Sequence, residues 1–152
     1  MPLNIVLIEP EIPNNTGNIG RLALASGANL HLVKPFGFEI TDTRLKRAGL
    51  DYWQHLNVFY YDNLDAFLST HKKATMVFLS SQAGTPHYQI KFTDNLFLVF
   101  GKESVGLPQS LLHKNQTKLF KIPLFSEQVR SLNLANAVSI VVYEGIRQLN
   151  LP

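Results

Sequence analysis

The chain has 152 residues, of which 45% are hydrophobic and 16% charged, a composition typical of a single globular domain over 1–152 and not of a disordered segment. It contains no cysteine, which excludes disulfides, thiolate zinc sites and a cysteine nucleophile and is compatible with a reducing cytoplasm. A formal net charge of +3 permits an RNA partner without requiring one.

In the first half of the chain, short apolar runs alternate with helical patterns. Strands are predicted at 3–8, 30–33 and 58–61 because these runs are short, apolar and rich in β-branched or aromatic residues. Between the first two, a loop rich in Pro and Asn precedes a helix at 18–26, which Gly27 ends. A short helix capped by Thr41 or Asp42 is predicted to run through Ala48, and another opens at Asp62 and runs through Thr70.

The second half continues the same alternation. Strands are predicted at 75–79, 96–100 and 119–122. Pro108 suits the first turn of a helix running to about His113, and a long helix is predicted over 132–149. Alternating short apolar strands and helices predict an α/β domain with a parallel sheet covered on both faces.

The last predicted helix is apolar around much of its circumference, so it should be buried on more than one side. In so small a domain the second side can belong to another subunit, and we expect a homodimer built partly on this helix. The longest apolar stretch, 137–143, is far too short to span a membrane. The N-terminal segment lacks the basic start and long apolar run of a signal peptide, so we expect a cytoplasmic protein with no membrane partner.

Three segments combine glycine or amide side chains with charge where predicted strands end: 13–21, 101–108 and 122–137. Ligands bind beyond the carboxyl ends of strands in open α/β sheets. Each segment also has a purely structural explanation, namely a tight turn, relief of backbone strain, or capping of the last helix. Together the three segments favour one binding site over three separate local structural roles.

Familiar cofactor and metal motifs are absent. The chain has neither the dinucleotide-binding glycine pattern nor a complete P-loop. Its five histidines show no metal-ligand spacing, so no metal site is predicted. No nucleophile-elbow motif of the Gly-x-Ser-x-Gly type occurs.

The three segments resemble the motifs of the SPOUT methyltransferases. Asn15-x-Gly17-x-x-x-Arg21 matches the first motif, Gly101-x-Glu103-x-x-Gly106-Leu107 the second, and the stretch from Ser131 to Ala137 the third. Within that family, the stretches 8–13, 47–52 and 137–144 look like those of the small tRNA 2′-O-methyltransferases that modify the wobble nucleotide. The resemblance covers almost the whole chain and implies a deep trefoil knot near the C-terminus, which the residue pattern alone does not predict.

The resemblance also implies a reaction, a cofactor and partners. It implies methyl transfer from S-adenosylmethionine to a ribose 2′-hydroxyl in a tRNA anticodon stem-loop, leaving S-adenosylhomocysteine, by an obligate dimer formed through 132–149 and the N-terminal region. Catalysis is assigned to Arg21 with Asn15 and Asn136. The residues expected to hold the cofactor are Leu79, Gly101, Glu103, Ile122, Leu124, Ser131, Leu132 and Asn133. Candidates for contact with RNA are Arg44, Lys46, Arg47 and Arg130.

Two alternatives stay open. One is 2′-O-methylation of ribosomal RNA, although relatives with that substrate often carry an extra RNA-binding domain. The other is an RNA- or S-adenosylmethionine-binding module without catalysis, which the presence of Asn15, Arg21, Glu103 and Asn136 disfavours. The sequence does not specify the tRNA, the wobble base, any prior modification or the group that accepts the proton.

Overall fold

A computed structural model describes residues 2–39 and 52–149 of the chain. The strands in these ranges are β1 (Asn4–Ile8), β2 (Asn29–Val33), β3 (Val58–Tyr61), β4 (Met76–Leu79), β5 (Phe97–Phe100) and β6 (Leu119–Phe120). The helices are α1 (Pro13–Ser26), α2 (Leu64–Thr70), α3 (Gln109–Lys114) and α4 (Leu134–Leu149), with short 3-10 helices at His87–Gln89 and Gln116–Lys118. The helix predicted to end at Ala48 lies outside the described residues.

The described strands form one sheet in the order β3-β2-β1-β5-β4-β6, and all neighbours are parallel. Helices α1 and α4 cover one face through residues such as Ile19 and Val141. Helices α2 and α3 cover the other through residues such as Phe67 and Leu111. Burial on both faces explains why the strands are almost continuously apolar, and the predicted α/β parallel-sheet class is confirmed.

Strand β1 lies at the centre of the sheet between β2 and β5. Strands β2 and β3 lie on one side of β1, and the later strands β4, β5 and β6 lie on its other side. This reversal opens a crevice at the carboxyl ends of β1 and β5, the position at which open α/β sheets bind ligands. The trefoil knot expected around 101–107 and 122–137 stays a prediction.

Helix α1 begins five residues earlier than predicted, at Pro13 instead of Asn18. Proline suits a first helical position because its missing N–H would have had no helical partner. The residue before it, Ile12, provides no side-chain cap. Instead, the Glu103 carboxylate accepts the backbone N–H groups of Glu11 and Ile12 at 2.8 and 3.0 Å. The group that stabilises this helix start is about 90 residues away in the chain, where a local pattern does not register it.

Three other predicted boundaries were wrong by two residues, and the predicted starts of β1, β2, β4 and β5 were wrong by one. Helix α2 is capped by Asn63, whose side chain accepts the Ala66 N–H, and not by Asp62. Strand β6 ends at Phe120 because its partner β4 ends opposite it at Leu79, and Lys121 pairs instead with Pro86 in the segment after β4. Helix α4 starts at Leu134 and not at residue 132, because the Asn133 side chain accepts the N–H groups of Ala135 and Asn136 and so fixes the helix start.

Helix α4 buries one stripe and exposes another. Val138, Val141 and Val142 are fully buried, whereas Ile140 and Tyr143 are 39% and 48% exposed. The expected second apolar side is therefore present on the surface of the single chain. Among residues 2–39 and 52–149, no helix combines the length and apolarity that crossing a bilayer requires.

A buried polar chain runs beneath α2 on the opposite face of the sheet. His31 Nε2 lies 2.9 Å from Asn4 Oδ1 and His31 Nδ1 lies 2.8 Å from the Tyr61 hydroxyl, which lies 2.8 Å from His71 Nε2. Because Asn4 Oδ1 also accepts from Asn29, it serves as an acceptor for a proton on His31 Nε2. Tyr61 then donates to His31 Nδ1, so this arrangement is complete only when His31 is neutral.

We expect this chain to make stability depend on pH. Burial, with a smaller contribution from the His71 charge, lowers the pKa of His31 to about 4. An unfolded histidine titrates near 6.5 and binds a proton first, so the stabilisation is complete above pH 6.5 and is lost as the pH falls toward 4. The loss from His31 should reach about 3 kcal/mol. Urea unfolding of the natural protein and of His31→Phe, at pH 7 and pH 4.5, measures it; an equal loss in both proteins would contradict the prediction.

Candidate active site

A cavity of about 530 Å³ opens at the carboxyl ends of β4, β5 and β6. Its walls come from the segment after β4, the tight loop after β5, the long loop after β6 and the first turn of α1. This size is in the range of small-molecule and cofactor sites. The three sequence segments predicted to meet at one sheet edge therefore line one cavity.

Ten of the predicted site residues line this cavity: Asn15, Leu79, Gly101, Glu103, Ile122, Leu124, Arg130, Ser131, Leu132 and Asn133. Two others, Arg21 and Asn136, do not line it and are exposed on α1 and α4. The predicted RNA contacts Arg44, Lys46 and Arg47 lie outside the described residues.

A chain of three side chains ties the walls together. Asn15 Nδ2 donates to Glu103 at 3.1 Å, and Asn15 Oδ1 accepts from Asn133 Nδ2 at 3.0 Å. Asn133 Oδ1 in turn accepts the first backbone N–H groups of α4. The carboxylate and the two amides thus join the loop after β5 to the starts of both helices on one face of the sheet. Each amide is oriented so that its NH₂ group donates and its oxygen accepts, because the reverse orientation would break this series of hydrogen bonds.

Replacing Glu103 by glutamine should weaken this junction. The carboxylate receives three hydrogen bonds, from the Glu11 and Ile12 backbones and from Asn15. An amide would turn an NH₂ group toward one of these donors, so we expect a loss of about 2 kcal/mol in the free energy of unfolding. Urea denaturation measures it, with Glu127→Gln, a change on the exposed loop after β6, as the matched control. Equal stability of Glu103→Gln and the natural protein would show that the Glu103 hydrogen bonds contribute nothing to the free energy of unfolding.

Two further contacts join the loops after β1 and β5. Lys102 Nζ lies 3.1 Å from Glu9 Oε1, and the Glu11 carboxylate accepts the Ser104 backbone N–H and hydroxyl at 2.8 and 3.0 Å. These hydrogen bonds, led by the one from the Ser104 backbone and aided by the Lys102 charge, lower the pKa of Glu11. Glu9 holds a left-handed backbone with φ 53°, which is unfavourable for a residue with a Cβ. These contacts bridge the loops after β1 and β5, and the cavity lies on the β4 and β6 side of the bridge.

Gly101 allows the loop after β5 to fold back on itself. A Cβ at this position would overlap the backbone of Gly106 and Leu107. Gly106 itself has φ 74°, and its N–H donates to the Lys102 carbonyl at 2.9 Å. The second sequence motif is therefore a turn whose two glycines have separate physical reasons: one allows close backbone approach and the other a left-handed conformation.

Sequence reasoning missed one wall of the cavity, the polar run Ser80, Ser81 and Gln82 directly after β4. The signal was available, because this run also follows the carboxyl end of a buried strand. It was overlooked since it contains neither a charge nor a glycine. Other lining residues lie within the predicted segments without having been named singly as site residues: Lys102, Ser104, Val105, Gly106, Leu107, Leu134 and Ala137. The remaining lining residues, outside those segments, are Ile12, Phe100, Leu112 and Lys121.

The cationic side chains that line the cavity differ in whether they form an ion pair. Lys102 is paired with Glu9. Lys121 and Arg130 also line the cavity, and neither has an ion-pair partner within the described parts of the chain. The long loop after β6 therefore presents two available positive charges at the cavity.

Arg21 lies six residues after Asn15 on α1, roughly 9 Å further along the helix axis. Its guanidinium stands over the Tyr52 ring, 5.1 Å from the centroid. The preceding residue, Gly20, allows close approach of Trp53, whose ring lies 2.7 Å from the place a Cβ would occupy. The residues after position 51 thus pack against α1 and hold Arg21 outside the cavity. In the described ranges, no three His, Cys, Asp or Glu side chains come together as a metal site would require.

Comparison with known proteins adds to this geometry. Residues 2–143 match the SpoU rRNA Methylase family. Over 157 aligned residues the chain is 46% identical to a tRNA (cytidine(34)-2'-O)-methyltransferase from Yersinia pestis, covering 99% of this chain and 96% of that protein.

Two solved structures are also similar to this chain in sequence and fold. One, described by the words "Structural insights into the 2-OH methylation of C/U34 on tRNA", is 43% identical, with a TM-score of 0.92 over 97% of this chain and 95% of that chain. An AdoMet-bound rRNA methyltransferase from Sinorhizobium meliloti is 25% identical, with a TM-score of 0.88; the match covers 99% of this chain but 57% of that chain.

Proposed function

The chain belongs to the SpoU rRNA Methylase family, and from that premise we propose that it transfers a methyl group from S-adenosylmethionine to the 2′-hydroxyl of the wobble nucleotide of tRNA. The observation that carries the proposal is 46% identity, over nearly the full length of both chains, to a tRNA (cytidine(34)-2'-O)-methyltransferase. We propose a cytidine or a uridine derivative as the acceptor nucleotide, because the similar structure that concerns methylation of C/U34 on tRNA names both bases.

The cavity suits S-adenosylmethionine in size and chemistry. Apolar side chains of Leu79, Ile122, Leu124 and Leu132 offer surface to an adenine ring, while backbone groups and the polar Ser131 supply hydrogen bonds. The similar rRNA methyltransferase was solved with AdoMet bound. When bound, S-adenosylmethionine supplies an electrophilic methyl group on its sulfonium. We assign the cofactor-binding role to the predicted cavity residues, with Gly101 allowing the close backbone turn and Glu103 holding the loops in place.

The chain must orient the ribose hydroxyl and accommodate its proton. We propose that Arg21 grips a phosphate next to the acceptor ribose and fixes the 2′-hydroxyl, because the guanidinium fork suits two parallel bonds to phosphate oxygens. A role as general base is disfavoured, because a guanidinium stays protonated in proteins and has no acceptor for the hydroxyl proton. The proton then leaves to phosphate or water. Asn15 and Asn136, at the starts of the two helices, complete the predicted catalytic set.

We further propose a homodimer formed through α4 and the N-terminal region. The exposed Ile140 and Tyr143 on α4, together with the exposed Ile12 before α1, support this proposal, because aromatic and apolar side chains are enriched in the buried centre of subunit interfaces. A cytoplasmic location follows from a tRNA substrate. Arg44, Lys46, Arg47 and Arg130 are proposed to contact tRNA phosphates, which would make binding depend on salt.

Methyl transfer to two RNA pools tests the proposal. The protein is incubated with methyl-labelled S-adenosylmethionine and either bulk tRNA or ribosomal RNA, both from a strain that lacks the activity. We expect label in the tRNA pool. Label in ribosomal RNA alone would keep the reaction and overturn the substrate. Cofactor binding without label in either pool would indicate a non-catalytic binding module.

A further inference from the structure

Phe125, in the loop after β6, is the most exposed large apolar side chain described. It is 98% exposed, and no aromatic ring contact in the described ranges includes it. Single exposed apolar residues are common on protein surfaces and need no function. A functional role for Phe125 therefore depends on its position and its neighbours.

The position is the rim of the cavity. Leu124, directly before Phe125, lines the cavity, as does Arg130 five residues later. After Phe125 the chain turns, and the Ser126 hydroxyl accepts the Gln128 N–H at 3.1 Å. A turn closed by its own side chain presents Phe125 outward from a defined backbone beside the cavity.

The surrounding charges favour a nucleic acid. Lys121 and Arg130, at the two ends of this loop, have no ion-pair partner in the part of the chain that the structure describes, and Glu127 is the one acidic residue between them. An aromatic ring flanked by cations is the arrangement with which proteins bind single-stranded RNA, since bases stack on the ring while cations meet the phosphates. A second copy of this chain would gain little from the two unpaired cations.

We propose that the Phe125 ring stacks on a base of the single-stranded acceptor loop of the RNA and thereby positions the neighbouring ribose at the cavity. This inference rests on the proposed RNA methyltransferase function. It assigns Phe125 a positioning role and no contact with the cofactor. Aromatic or planar residues should therefore be tolerated at this place and small ones should not.

Kinetics of Phe125→Ala and Phe125→Trp test the stacking. Alanine should raise the KM for an anticodon stem-loop RNA by about 5- to 100-fold, the effect typical of losing one base–aromatic stack, with cofactor affinity unchanged. Tryptophan should retain the natural KM, and its fluorescence should be quenched by the RNA beyond any change at Trp53 in the natural protein. Tyr88→Ala, which removes an exposed aromatic ring away from the cavity, is the matched control.

A thermodynamic cycle that combines the Phe125 variant with RNA variants identifies the base on which Phe125 stacks. Abasic nucleotides are introduced one at a time around the acceptor position, and one of them should abolish the difference between Phe125→Ala and the natural protein. An unchanged KM in Phe125→Ala, or a change in its molecular mass in solution, would overturn the proposal, the latter by assigning Phe125 to a subunit contact. Failure of the natural protein to methylate any RNA would instead overturn the proposed function.

Discussion

Replacing Gly101 by alanine should abolish measurable binding of S-adenosylmethionine. The added Cβ would overlap the backbone of Gly106 and Leu107, and backbone atoms cannot move aside as the end of a flexible side chain can. The loop after β5 would have to open, and Lys102 through Leu107 form one wall of the cavity. We expect cofactor affinity to fall at least 100-fold, with a loss of about 1–3 kcal/mol in the free energy of unfolding from the overpacking.

Calorimetric titration with S-adenosylmethionine and urea unfolding measure the two effects separately. Gly84→Ala is the matched control, because a Cβ at that position would meet nothing within 4 Å. The control should bind the cofactor as the natural protein does. A folded Gly101→Ala protein with natural cofactor affinity would mean that the cofactor does not use the wall formed by this loop.

Replacing Arg21 should lower methyl transfer while leaving cofactor binding intact. Arg21 does not line the cavity, so its loss should not disturb the bound cofactor. If its guanidinium makes two charged hydrogen bonds to the RNA in the transition state, Arg21→Ala should lower kcat/KM for tRNA by roughly 150-fold or more, given about 1.5–3 kcal/mol for each bond. Arg21→Lys keeps the charge but loses the fork, and it should recover only part of the activity.

Initial rates with saturating S-adenosylmethionine and varied tRNA measure this loss. Lys73→Ala, which removes an exposed cation after α2, controls for the general effect of surface charge on RNA binding. Near-natural turnover by Arg21→Lys would contradict the phosphate-clamp role and leave Arg21 as a residue that packs on Tyr52.

The strands were predictable because each is a short run of mostly apolar or aromatic residues, and the central strands β1 and β5 are buried on both faces. The site was predictable where one rule applied, namely that glycine and amide side chains after strands meet at one edge. That rule placed Asn15, Gly101 and Asn133 together before any distance was known. The same rule also applies to Ser80, which was not predicted because it carries no charge and has no glycine beside it.

Long-range contacts were beyond the sequence pattern. The start of α1 depends on the Glu103 carboxylate, and the junction of Asn15 with Asn133 joins residues 118 positions apart. Neither is encoded in local periodicity, so a boundary was placed five residues late. The position of Arg21 outside the cavity also came only from the structure, because helical spacing does not show where the cavity ends. The knot, the methyl donor and the wobble position came from family resemblance and not from pattern.

Mapping the methylated nucleotide tests the central proposal most directly. Bulk tRNA labelled by the protein from S-adenosylmethionine is digested with nucleases, and the labelled fragments are sequenced by mass spectrometry. We predict the label on the ribose of the first anticodon nucleotide, with the base itself unmodified by the reaction. Label on a base, or on a ribose elsewhere in the tRNA, would contradict the proposal that this chain is a wobble-nucleotide 2′-O-methyltransferase.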